Sequence, residues 1–172
     1  MAVTAPEFTR MVDARKLPAG QVEVEANEAE RAALAKRFDL RSVDLLKAAV
    51  MLSPDDGAVL AEGRLVAAIV QGCAVSGEDL AIRIDEELAL RFVPSTDGET
   101  LPDEMELESG DCDEIPFMGE RFDLGEAVAQ SLALAIDPYA TVADAEKARE
   151  EAGLLDETDV GPFAALKVLK KD

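Results

Sequence analysis

Thirty-seven carboxylates, two cysteines and no histidine are the groups through which this chain could do chemistry. A cysteine acts as a nucleophile through its thiolate and ordinarily needs a neighbouring base, which the missing histidine denies to both Cys73 and Cys112. The two thiols stand 39 positions apart with no third soft ligand, which argues against a structural zinc site. Both are expected as free, reduced thiols, Cys73 in or beside a hairpin loop and unbonded to Cys112. No GxxxxGK or GxGxxG phosphate loop occurs. Asp111, Asp113 and Glu114 crowd together as hard-cation ligands would, but without the alternating order and central glycine of an EF-hand loop. No catalytic, cofactor-binding or metal-binding residue is therefore assigned. The chain is expected to bind a partner and not to be an enzyme.

Charge says what kind of partner. The net charge of −20 repels a bare phosphate backbone. It is unevenly spread: residues 1–47 hold eight Lys/Arg and eight Asp/Glu, residues 48–172 nine and twenty-nine. Between Pro94 and Glu114 lie nine carboxylates and no cation, in a stretch broken by proline and glycine that reads as a long acidic loop. It admits two readings, a solvated loop or a surface for a basic protein. On the second, Asp103, Glu104, Glu106, Glu108, Asp111, Asp113 and Glu114 would make the contacts, with Leu101, Met105 and Leu107 leaving room for apolar docking. The alternative is direct RNA contact through Arg31, Lys36, Arg37 and Arg41, which fall on or after the first helix. No aromatic stacking platform accompanies them, since Tyr139 is the one tyrosine and tryptophan is absent.

The elements that would hold these groups follow from periodicity. Phe8–Val12 and Gln21–Glu25 are strand candidates around a Pro-Ala-Gly turn at residues 18–20. Asn27 and Glu30 have capping-box spacing, which predicts a helix to about Phe38 with Leu34 and Phe38 inward. Val43–Leu52, Val59–Gln71 and Leu80–Val93 follow as strands, with turns at Ser53–Gly57 and Gly72–Asp79. In the last, Leu80, Ile82, Ile84, Leu88, Leu90 and Phe92 share one face, interrupted by Glu86, where a bulge or strand break is expected. Ile115–Met118 reads as a short edge strand. Asp123 and Glu126 repeat the capping-box spacing, and Leu124, Val128, Leu132 and Ile136 form the stripe of a helix lying on a sheet and ending before Pro138. Residues 140–160 are polar, with a marginal helix at Ala143–Ala152. Pro162 opens a last short helix carrying Phe163, Leu166 and Leu169. The sum is an α+β fold, a meandering antiparallel sheet with two or three helices packed on one face.

A length of 172 residues suits one domain. No apolar run approaches the ~20 residues that span a bilayer. The N-terminus lacks the basic-then-apolar order of a signal peptide, so a cytoplasmic location is expected.

Three blocks carry a family resemblance. They run from Gly63 through Cys73 to Asp79, from Asp113 through the Asp-Leu-Gly of residues 123–125 to Pro138 and Tyr139, and from Pro162 to Leu166. In order and spacing they resemble the YceD family, the large ribosomal RNA subunit accumulation proteins, and most of all its alphaproteobacterial branch, over most of residues 8–168. The resemblance implies a bacterial factor needed for normal accumulation of large-subunit (23S) ribosomal RNA, with no known enzymatic activity. Its expected partner is a basic ribosomal protein or a large-subunit assembly intermediate. Many relatives carry a Cys-x-x-Cys pair at the hairpin; here Ser76 stands in the second position, and any metal or redox role of that hairpin loses its second ligand.

Overall fold

A long hairpin, β3 (Ser42–Asp55) and β4 (Ala58–Gly72), is central to the computed structural model, which describes residues 7–95 and 113–142. Its strands close on a two-residue loop, Asp56 and Gly57, with φ of 43° and 85°. Two consecutive left-handed residues match the right-handed twist of a hairpin, so the turn is tighter than the five-residue loop read from Ser53–Gly57. Pro54 and Asp55 continue the strand instead, opposite Val59 and Ala58.

Five strands form the main sheet in the order β2 (Gln21–Glu25), β3, β4, β5 (Asp79–Pro94), β6 (Asp113–Phe117). The α+β class holds. The purely antiparallel meander does not, because β6 runs parallel to β5, pairing Leu90 with Asp113 and Phe92 with Ile115. The first strand also leaves the meander. β1 (Met11–Asp13) pairs with β7 (Arg121–Asp123) in a separate two-stranded sheet. Phe8, read as strand, lies before β1 and is fully buried.

Between Val43 and Leu45 the β3–β4 register slips by one residue at Asp44. The bulge switches which parity faces inward: Val43 is buried before it, Leu46, Ala48, Val50 and Leu52 after it. On β4, Val59, Ala61, Leu65, Ala67 and Ile69 are all buried. On β5, Ile84, Leu88, Leu90 and Phe92 are buried and Ile82 half-buried, on one parity throughout, so no strand break occurs at the exposed Glu86.

Two helices share the core of that inner face. α1 (Glu28–Arg37) starts at a complete capping box: Glu30 N–H donates to Asn27 Oδ1 at 3.0 Å, and Asn27 N–H donates to Glu30 Oε2 at 2.8 Å. α2 (Leu124–Ala135) buries Leu124, Val128 and Leu132 completely, with Ile136 half-buried at its end. Burying each such leucine contributes roughly 1.5–3 kcal/mol, which is why these short helices hold. The second capping box is only half made. Glu126 N–H donates to Asp123 Oδ1 at 3.2 Å, while the Glu126 carboxylate is taken by Arg37.

The described residues fall into two units by contact, residues 7–71 with 81–95 and 113–137, and residues 72–80 with 138–142. Asp103, Glu104, Glu106, Glu108, Asp111 and Cys112 lie outside the described residues, as do Ala143–Ala152 and the segment with Pro162, Phe163, Leu166 and Leu169.

Candidate partner-binding surfaces and the Cys73 turn

Of the seven carboxylates expected to meet a basic partner, the described residues include Asp113 and Glu114, both exposed on β6. Glu114 accepts from Arg91 Nη1 at 2.7 Å, and Arg91 Nε also donates to Asp55 at 2.8 Å. These pairs lie on the sheet face away from the helices, where Arg64 also pairs with Asp85. Exposed pairs of this kind contribute little stability.

The four cations of the RNA alternative are held differently. Arg37 grips Glu126 with two hydrogen bonds, at 2.9 and 2.7 Å, and reaches Glu7 at 3.0 Å. Its fork ties α1 to α2 and holds the Glu126 carboxyl below the usual range. Arg31 donates to the carbonyl of Ala26 at 2.8 Å. Lys36 is exposed. Arg41 is placed by its backbone N–H on the carbonyl of Val70 at 2.8 Å.

A further cation, Arg10, carries no sequence signal that marks its role. Its guanidinium donates to both oxygens of Glu30, at 2.8 and 2.9 Å, lowering that carboxyl's pKa. Its backbone N–H donates to Asp123 Oδ1 at 2.8 Å, and its carbonyl accepts from Leu124 N–H at 3.0 Å. Phe8 fills the core just before it, with the Arg10 guanidinium 4.6 Å above its ring. Residues 8–10 thus form a strap across the start of α2. Gly125 is where the strap crosses: a Cβ there would stand 2.6 Å from Phe8 O and 2.8 Å from Arg10 N. The Asp-Leu-Gly sequence is accordingly a folding device. Asp123 caps the helix and holds the strap, Leu124 enters the core, and Gly125 makes room for backbone.

The second unit contains the Cys73 turn. Cys73 N–H donates to Glu78 O at 2.7 Å, and Gly77 N–H donates to Cys73 O at 2.9 Å, with Gly77 at φ 73°. The Cys73 thiol is free and buried. Its sulfur accepts from the N–H of Ser76 at 3.5 Å and of Val142 at 3.4 Å. Hydrogen bonds from Ser76, then from the backbone of Val142 and Val75, favour the thiolate and lower its pKa to about 6. Ser76, three positions after Cys73, turns its hydroxyl to Glu78 Oε2 at 3.1 Å. Sequence order could place Cys73 at a hairpin, but it could not show that backbone donors from residue 142 return to it.

No helix among the described residues is long and apolar enough to cross a membrane. No curated protein and no solved structure matches the chain. A family model does match, that of the large ribosomal RNA subunit accumulation protein YceD, over residues 61–170. This span is narrower than the 8–168 expected: it begins within β4 and takes in the Cys73 turn, β6 and the Asp-Leu-Gly start of α2, but leaves out Arg31, Lys36, Arg37 and Arg41. With more than half of its residues matched, the chain belongs to the YceD family of large ribosomal RNA subunit accumulation proteins.

Proposed function

We propose that this chain supports accumulation of large-subunit ribosomal RNA in the cytoplasm by binding a basic ribosomal protein or an assembly intermediate, without catalysing a reaction. The observation that carries the reading is the charge asymmetry, twenty-nine carboxylates against nine cations over residues 48–172. Such a field speeds encounter with a basic protein and weakens as salt rises. It would screen that protein until it docks on RNA. Direct RNA contact is the competing reading. Two of its four cations, Arg31 and Arg37, already donate to groups of the chain itself, which favours a protein partner.

The test replaces Asp103, Glu104, Glu106 and Glu108 with Asn or Gln. Thermal stability should stay nearly unchanged, capture of a basic ribosomal protein should slow, and large-subunit ribosomal RNA should fall in cells. Normal RNA levels with an unchanged binding rate would reduce residues 94–114 to solvated surface. Loss of RNA binding on removing the charges of Lys36 and Arg41 would move the function to RNA.

A further inference from the structure

β6 and β7 follow one another across Met118–Glu120, yet they do not pair: among the described residues β6 is the end strand of the five-stranded sheet, and β7 belongs to the two-stranded one. An end strand offers unpaired backbone groups to any strand laid beside it. Between the two strands opens a groove of about 220 Å³, with Ile115, Pro116 and Phe117 on one side and Glu126, Ala127 and Gln130 of α2 on the other. Its floor is aromatic. Phe122 stacks on Phe92 at 4.1 Å between centroids and meets Phe117 at 5.7 Å. A groove of that size is below the roughly 300–1,000 Å³ of small-molecule sites, and it suits one inserted side chain better.

The surroundings state the chemistry of what enters. Residues 113–130 carry five carboxylates, Asp113, Glu114, Glu120, Asp123 and Glu126, against the single cation Arg121. Arginines from elsewhere pair with Glu114, Glu120 and Glu126, and Asp123 is held by two backbone N–H groups and the nearby charge of Arg10, which leaves Asp113 with no ion pair among the described residues. Half-buried Ile115 lends apolar surface to the groove. Pro116 has no N–H, so strand pairing would be confined to the stretch before it, which also guards the edge against indiscriminate addition.

We propose that this groove docks an extended cationic peptide segment of the partner, which lays its backbone along β6 and inserts one bulky aliphatic side chain over Phe92, Phe117 and Phe122. The proposal rests on the reading of the partner as a basic protein. Strand addition supplies affinity through backbone hydrogen bonds, and the pocket for an alternate side chain supplies selection.

The probe is a set of overlapping short peptides covering the proteins of the large ribosomal subunit, titrated into the full chain by fluorescence anisotropy. Basic peptides with an aliphatic residue should bind. Ile115→Lys and Gln130→Lys should each weaken them by about tenfold or more, as loss of a central anchor does. Glu62→Gln, an equal change of charge at an exposed position on β4, should not. Gln130 is exposed on α2, so its variant carries the test if Ile115→Lys fails to fold. If peptides bind and weaken only when residues 103–108 are neutralised, the groove is overturned and the electrostatic function stands. Binding of no basic peptide at low salt overturns both.

Discussion

A helix interior ordinarily gains from replacing glycine by alanine, by about 0.5–1 kcal/mol. Gly125→Ala should do the opposite. The new methyl would stand 2.6 Å from Phe8 O, 2.8 Å from Arg10 N and 3.0 Å from Thr9 C, all backbone atoms that cannot swing aside like a side-chain end. Either the strap or the helix must move. Overpacking with backbone shifts costs about 1–3 kcal/mol. A displaced strap also strains the hydrogen bonds from Arg10 N–H to Asp123 and from Leu124 N–H to Arg10 O, each contributing about 1 kcal/mol. After the gain in helix propensity is subtracted, a net loss of about 2–4 kcal/mol remains. Urea titration followed by far-UV circular dichroism measures it, and the midpoint should fall with little change in slope. A neutral or stabilised Gly125→Ala would refute the strap as the reason for glycine at this position. The sign alone separates the two accounts.

Leu132→Ala should cost about 2–5 kcal/mol in the same titration, because its side chain is wholly inside the cluster between α2 and the sheet. In a Cys112→Ser background, thiolate absorbance at about 240 nm should rise with a midpoint near pH 6, the value to which the donors around Cys73 lower it. Because the folded pKa lies below the unfolded one of about 8.5, this group's contribution to stability is full above the unfolded value and is lost as pH falls through the folded one. A midpoint near 8.5 would show that the Ser76 and Val142 donors do not act on the sulfur.

Patterns that a single segment can satisfy are legible in the sequence alone. The β5 alternation, the stripe Leu124, Val128, Leu132 and the Asn27–Glu30 cap each depend on residues close in sequence, and each stands in the fold. The family is legible too, through the order of three blocks. What the sequence does not decide is which distant backbone comes near. The slip at Asp44 is set by pairing with β4, within an apolar run that offers either face equally. The parallel placement of β6, and the pairing of β1 with β7, depend on partners far along the chain. Likewise, the Asp-Leu-Gly block announces a helix start but not the strap that makes glycine necessary there. Arg37 reads as a free surface charge in its own segment, and only the tertiary fold brings Glu126, 89 positions away, to it. Local sequence determines periodicity and caps because short-range sterics and hydrogen bonds suffice for them. Register, strand partners and the fate of a long charged side chain are settled only when remote segments pack together.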